Sequence, residues 1–263
     1  MIFETHAHYD DSRFDEDREF LIEKVHNSGV SPIINVGASI DSIRTTLEIA
    51  EKFDYVYAAV GVHPSDIDCL SSESFEWLRQ QCRHEKAVAV GEIGLDYYWD
   101  KEPEVQASQR EWFRKQLELA REQKLPVIIH SRDAAQDTLA VMREANAREI
   151  PGVIHCYSYS KELAREFIAM GYYIGVGGVV TFKNARKLKE TVEAIPMDRI
   201  LLETDCPYMA PEPHRGKRND SSYIPHVIEK IAEIKGITPD EVEKITEENA
   251  YRLFTRVKQN KSR

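Results

Sequence analysis

Short runs rich in Val and Ile alternate along this chain with longer stretches whose apolar residues return every three to four positions. The apolar runs are Met1–His6, Ser31–Val36, Tyr55–Val62, Ala87–Glu92, Pro126–His130, Gly152–His155, Tyr172–Val176 and Arg199–Thr204. Each is short and ends in or near a polar residue, the signature of a strand buried on both faces. Between them, Asp15–Ser28, Ser42–Phe53, Glu104–Lys124, Ala134–Ala147, Lys161–Met170, Asn184–Ile195 and Tyr223–Lys235 read as helices. Within Glu104–Lys124, Trp112, Gln116, Leu119 and Ala120 fall at helical spacing with charged residues between them. Gly29, Gly171 and Gly236 stand where helices should stop.

Regular strand–helix alternation implies a parallel sheet with crossover helices. Eight such units favour a closed (β/α)8 TIM-type barrel over an open doubly wound sheet. No strand is followed by GxGxxG or GxxxxGK[ST]; Gly175-Val176-Gly177-Gly178 is the nearest approach and lacks the pattern. At 263 residues the chain fits one complete barrel, read as a single domain over 1–263, with only Lys258–Arg263 expected to fray.

Composition narrows the class. With 42% hydrophobic residues the chain can build a core, which rules out disorder. No window approaches ~18 consecutive apolar residues, so no membrane span is expected. The start, Met1-Ile2-Phe3-Glu4-Thr5, has neither the basic nor the apolar region of a signal peptide. Cys69, Cys82, Cys156 and Cys206 form neither a zinc motif nor a disulfide framework, and read as reduced thiols of a cytoplasmic protein. The net charge of −10 argues against a surface coated for nonspecific nucleic-acid binding, yet leaves room for a local basic patch.

Chemistry concentrates at the strand ends, where barrels carry their active sites. The ends read Thr5-His6-Ala7-His8, Gly61-Val62-His63-Pro64, Gly91-Glu92-Ile93-Gly94, Ile129-His130-Ser131-Arg132, Ile154-His155-Cys156 and Glu203-Thr204-Asp205. His6 and His8, two apart on a strand, point the same way, toward the barrel axis. His26, His84 and His214 fall away from these ends, and His226, Cys69 and Cys82 read as structural. The candidate ligands His6, His8, Glu92, His130, His155 and Asp205 exceed what one tetrahedral ion with an open position takes. They suit two divalent ions about 3.5–4 Å apart, with Glu92 as the bridge. His6, His8 and Asp205 would complete one ion, His130 and His155 the other. Water between two such ions ionises near neutrality and becomes the nucleophile, with Asp205 as ligand and base. Mixed imidazole and carboxylate shells accept magnesium, manganese or zinc.

In its ordered set of motifs the chain resembles the TatD-type metal-dependent deoxyribonucleases, a branch of the amidohydrolase-like barrels. The matching pieces are the strand ends above together with Leu95-Asp96-Tyr97, Pro126-Val127-Ile128-Ile129-His130, Thr181-Phe182-Lys183-Asn184 and Leu202-Glu203-Thr204-Asp205. The resemblance spans nearly the whole chain. It implies a two-metal site at His6, His8, Glu92, His130, His155 and Asp205, and hydrolysis of DNA phosphodiesters, often from the 3′ end. Departures are Tyr157 for a common Phe, Tyr159 for a common Gly, Cys206 beside Asp205, and Asp220-Ser221 for a frequent Glu-Pro. Tyr159, beside His155, is expected to narrow or reshape the substrate cleft.

Basic residues near the strand ends agree with an anionic substrate. Arg132, Lys183, Arg215, Lys217 and Arg218 are candidate phosphate contacts. The run Arg215–Arg218 also reads as a solvated loop. Tyr97, Tyr98 and Trp99 are placed either to stack on bases or to pack in the loop. His63 is a candidate phosphate contact or acid, or a residue that with Pro64 shapes its loop. Glu203 either orients a ligand histidine or sits in a buried ion pair. The reading is a DNA phosphodiesterase acting as a 3′–5′ exonuclease on single strands or 3′ ends, with no membrane and no obligate protein partner. The rivals are an amidohydrolase or lactonase using the same ligands, and a noncatalytic barrel with structural metals.

Overall fold

Strands Ile2–Ala7 (β1), Val30–Val36 (β2), Val56–Ala59 (β3), Ala87–Asp96 (β4), Val127–Arg132 (β5), Gly152–Ile154 (β6), Tyr173–Val176 (β7) and Ile200–Leu202 (β8) form one parallel sheet in sequence order. The structure is a computed structural model and describes residues 1–259. The helices are Arg18–Asn27 (α1), Ile40–Lys52 (α2), Ser72–Gln81 (α3), Pro103–Gln123 (α4), Ala135–Glu144 (α5), Lys161–Ala169 (α6), Arg186–Ala194 (α7), Ile224–Lys235 (α8) and Pro239–Leu253 (α9). The sheet closes where β8 meets β1. The Asp205 N–H donates to the His6 carbonyl and the His8 N–H to the Cys206 carbonyl, both at 2.9 Å. The (β/α)8 barrel expected from the alternation is the observed fold.

Beyond Leu202 the seam is completed by a side chain. The buried Glu4 carboxylate accepts the N–H groups of His6 (3.0 Å) and Thr204 (3.1 Å) and the Thr204 hydroxyl (2.6 Å). In β1 the ladder to β2 shifts register on both sides of Glu4. Such a shift re-aims the side chains that follow it. Phe3 faces the barrel interior at one end, and His6 and His8 face it at the other. An unbroken two-residue period from Phe3 would have sent both histidines outward.

Every strand contributes an inward residue to one apolar layer, among them Phe3, Ile34, Tyr57, Val88, Ile128 and Val153. Ala250 and Leu253 of α9, with Phe254 just beyond it, pack on this layer and fill the end of the barrel remote from the histidines. Asn249 ties α9 to β8 by donating to the carbonyls of Met197 and Ile200 at 2.8 and 2.9 Å. The larger core lies between the strands and the surrounding helices.

Helices α3 and α9 were not among the segments expected from periodicity. In α3 only Leu78 is buried, so no apolar stripe exists to be seen. In α9 the buried face includes Thr246 and Asn249, which break the hydrophobic period. Strand β4 runs four residues beyond the expected end at Glu92, to Asp96. Of the terminal stretch Lys258–Arg263, residues 260–263 lie outside those described. All four cysteines are free, with Cys82 and Cys206 buried. Among the described residues no helix is long and apolar enough to cross a membrane. Because the fully buried Phe254 ring stacks on Phe3 at 6.0 Å, Phe254→Ala should cost about 3–5 kcal/mol. Urea denaturation of the two proteins measures it.

Candidate metal centre and its cleft

At the open end of the barrel, Glu92 stands among four imidazoles and its two oxygens face different pairs. Oε2 lies 3.5 Å from His6 Nε2 and 3.6 Å from His8 Nε2. Oε1 lies 2.8 Å from His130 Nδ1 and 2.7 Å from His155 Nε2. Asp205 joins the first pair, its Oδ1 3.4 Å from His8 Nε2 and 3.7 Å from His6 Nε2. All six sequence-predicted ligands therefore converge, in the two groups that the strand order suggested.

The hydrogen bonds fix tautomers. His8 donates Nδ1–H to the Val36 carbonyl at 2.8 Å, which in the neutral ring leaves Nε2 with a lone pair toward the cluster. His130 donates Nε2–H to Asp96 Oδ2 at 3.0 Å and turns the Nδ1 lone pair inward. Within each pair the inward nitrogens nearly touch: His6 Nε2 to His8 Nε2 is 3.0 Å, and His130 Nδ1 to His155 Nε2 is 3.2 Å. One proton can bridge such a pair using one lone pair only, whereas a cation between them and a carboxylate engages both. The donor set of imidazole nitrogen and carboxylate oxygen suits divalent metals. His6, His8, Asp205 and Glu92 Oε2 would hold one ion; His130, His155 and Glu92 Oε1 would hold another.

Electrostatics follow from burial and proximity. Burial alone would raise the Glu92 pKa, yet His155, His130 and His6 hold it well below the usual carboxylate range. Burial and the adjacent His155 push His6 down to about 4. Burial opposes charge on His8, but with no cation between them Asp205 and Glu92 outweigh it and hold the His8 pKa up at about 10, so that a proton occupies Nε2 until a bound cation displaces it. Burial, opposed by His155 and by the Cys156 N–H, lifts Glu203 to about 8. That N–H donates to Glu203 Oε1 at 2.5 Å, and the ligating atoms of Glu203, His6 and His155 lie within 4.8 Å of one another. Among the described residues, Nδ1 of both histidines and Oε2 of Glu203 are buried without a hydrogen-bond partner.

His63 enters the cluster from beyond β3. Its Nδ1 accepts the Ser65 N–H at 3.2 Å, so the proton sits on Nε2, 3.8 Å from Glu92 Oε1. Burial, reinforced by His130, pushes its pKa down to about 3. It is thus a neutral imidazole with an N–H donor aimed at the centre.

A cleft of about 620 Å³ opens over these residues. Arg132 lines it, its guanidinium 3.9 Å from the Tyr98 ring and 5.6 Å from Trp99. Phe182, Val179, Tyr208 and Met209 also line it. Trp99 is 66% exposed and Tyr98 43%, whereas the Tyr97 hydroxyl donates to Asp137 and its ring belongs to the packing. Arg215 lies 4.0 Å over the Phe182 ring, at the cleft edge. Lys183 and Lys217 are exposed and stand outside the lining. Arg218 is engaged elsewhere: it grips Asp17 through both terminal nitrogens and donates to the Arg13 carbonyl at 2.7 Å. Tyr159 does not line the cleft either. Its hydroxyl bonds Ser131 Oγ at 3.0 Å and accepts the Ala134 N–H at 3.3 Å, bracing the end of β5 that carries Arg132.

Asp96 was the residue that sequence reasoning missed as a member of the site. Besides receiving His130, its Oδ1 accepts the N–H groups of Tyr98 (2.9 Å) and Trp99 (3.1 Å), so one carboxylate aims both a ligand and the aromatic loop. Of the remaining histidines, His26 stacks on Tyr55, His84 meets Glu51 and His214 stacks on Tyr223.

A (β/α)8 barrel with this donor set at the ends of its strands defines a metal-dependent hydrolase. Residues 3–255 match the family model described as TatD related DNase, and the chain belongs to that family. The metal-dependent hydrolase YabD of Bacillus subtilis is 47% identical over 254 residues, covering 97% of this chain and 99% of that one. A Cronobacter sakazakii protein named 3'-5' ssDNA/RNA exonuclease TatD is 34% identical over 260 residues, covering 96% and 97%. The crystal structure of YJJV, a TatD homologue from Escherichia coli K12, matches with a TM-score of 0.90 at 33% identity, covering 97% of this chain and 98% of that one. Asp96→Asn, which keeps an oxygen for the loop N–H groups but loses the charge facing His130, should weaken metal affinity by about 10–100-fold with the fold intact. Calorimetric titration of the metal-stripped protein with Mn²⁺ or Zn²⁺ measures this.

Proposed function

We propose that this hydrolase is a nuclease that trims single-stranded DNA from the 3′ end, with two divalent cations (magnesium, manganese or zinc) bridged by Glu92. The observation that carries the reading is the pairing of a two-sided Glu92 with an arginine and exposed aromatic rings in one cleft. A neutral lactone or amide has no use for Arg132 against Tyr98 and Trp99, whereas a nucleotide offers a phosphate for the first and bases for the others. The relative named as an exonuclease on ssDNA and RNA supports the same substrate class. The centre itself is recessed, with His6, Glu92 and His155 buried, so a flexible strand end reaches it more readily than the middle of a duplex. The free cysteines fit a cytoplasmic, reducing setting.

Bound there, divalent cations would polarise a phosphoryl oxygen and lower the pKa of the attacking water toward neutrality. The chain's own residues do the rest. His63 donates its Nε2–H to a phosphate oxygen, and its low basicity suits that role better than proton uptake. Arg132 neutralises the phosphate as charge builds in the transition state. Asp205 takes the proton of the attacking water at a carboxylate oxygen. Glu203 places a carboxylate within 4.8 Å of His6 and His155, where its charge would support their role as ligands. Trp99 and Tyr98 receive the terminal bases.

Incubation with end-labelled single- and double-stranded DNA, with each metal restored after chelation, should give a ladder shrinking from the 3′ end of the single strand. Chelation or Glu92→Ala should abolish it while the circular dichroism spectrum is retained. Turnover of a lactone panel with no cleavage of any strand would overturn the reading. Trp99→Ala should raise KM for oligonucleotides by the equivalent of about 1–3 kcal/mol per stacked base, with a smaller effect on kcat.

A further inference from the structure

The mouth of the barrel is electrically lopsided. The β1–α1 loop, residues 8–17, carries Asp10, Asp11, Asp15, Glu16 and Asp17 against Arg13 alone. The loop after β3 adds Asp66 and Asp68, and the loop after β4 adds Asp100 and Glu102 against Lys101. On the β7 side the sign reverses. Residues 183–189, which include the first turn of α7, contain Lys183, Arg186, Lys187 and Lys189 and no acid.

This basic face is continuous with the cleft wall. Phe182 lines the cleft, Lys183 follows it, and Lys189 Nζ donates to the Phe182 carbonyl at 2.6 Å. Lys183, Arg186 and Lys189 border one shallow surface depression with Glu190 and Glu193. The β8–α8 loop is pressed onto the same wall. The Glu212 N–H donates to Thr181 Oγ1 at 2.9 Å, and a Cβ on Gly178 would meet the Met209 carbonyl at 2.2 Å. Arg215 is thereby held over Phe182. Among the described residues Lys183, Lys187 and Arg215 have no carboxylate partner, and Arg186, 87% exposed, pairs only with Glu190 on its own helix. The boundary with the acidic arc is the Arg218–Asp17 pair.

A strand whose end sits at the metal centre must lead its remaining phosphates out over one part of this rim. The acidic arc repels them, and the loops after β5 and β6 offer little charge beyond Arg132 and Asp133. We propose that the uncleaved remainder of the strand leaves across Phe182 and Arg215 and along the first turn of α7, where Lys183, Arg186 and Lys187 neutralise its phosphates. This rests on the nucleic-acid reading above.

The test compares a trinucleotide with a single strand of about 20 nucleotides, using wild type, Arg186→Glu/Lys187→Glu, and the charge-matched control Arg148→Glu/Arg165→Glu. Acidic residues suit the first turn of a helix, so the α7 reversal should leave the fold intact. The control arginines are exposed beside a separate cavity between α5 and α6. The α7 variant should raise KM for the long strand about tenfold and leave the trinucleotide unchanged. By fluorescence anisotropy, its dependence of log affinity on log salt should be shallower by roughly 0.7 for each phosphate that the variant no longer neutralises. The control should behave as wild type. Equal losses on both lengths, no loss on either, or the same loss in the control overturns the path and leaves the nuclease reading standing. Wild type inactive on both lengths overturns the nuclease reading and the path with it.

Discussion

The closure of the barrel rests on two backbone hydrogen bonds between the end of β1 and the chain after β8, and on one carboxylate set beside them. β8 is only three residues long, too short to zip fully against β1 by backbone alone. Glu4 supplies the missing acceptors, gathering two backbone N–H groups and a hydroxyl from both sides of the seam while fully buried. Burial of an unpaired carboxylate would be costly, and each of these bonds offsets part of that cost. Remove the seam and Asp205 no longer meets His6 and His8, residues nearly two hundred positions earlier in the chain. The His6, His8 and Asp205 group of the candidate centre is therefore inherited from the way the sheet closes.

The His130 group depends on β4 and β5 running side by side past Glu92 and His130, as far as Asp96 and Arg132. Gly94 lets β4 continue: its φ of +145° and a virtual Cβ only 1.9 Å from the His130 carbonyl leave no room for a side chain. The continuation brings Asp96 level with Arg132 in the ladder and its carboxylate onto the His130 ring. Glu92 then stands between two imidazole pairs in which His8 and His130 each commit one N–H to a partner outside the cluster, so a cation that displaces the inward proton meets a lone pair. Lone pairs facing inward and N–H groups facing outward make a centre that favours cations, even though the chain carries a net charge of −10.

Strand ends were legible because buried parallel strands write themselves as Val- and Ile-rich runs, and a polar residue at such an end stands out. The helix framework was less so. α9 hides its buried stripe behind Thr246 and Asn249, whose polar groups are satisfied by partners distant in sequence or on a neighbouring turn. Asp96 lay beyond a glycine that looks like a strand terminus. The basic run Arg215–Arg218 was visible, but its division was not: Arg215 rests on the cleft wall, while Arg218 is held by an aspartate 201 residues away. The aromatic loop had two readings that only exposure separates, and it separates them within three residues, Tyr97 tied into packing and Tyr98 and Trp99 facing solvent.

The layer of inward side chains beneath the centre, with α9 and Phe254 pressed against it, makes the barrel a blind hole. Whatever enters at the mouth can leave only by the mouth. If the substrate is the nucleic-acid strand proposed above, each released fragment would back out through the opening that admitted the strand, and departure of product and advance of the next residue would compete for one passage. An open-ended channel would let the two proceed independently. In this architecture the pace of turnover would be coupled to egress, and a small product that lingers would occupy the place of the next substrate.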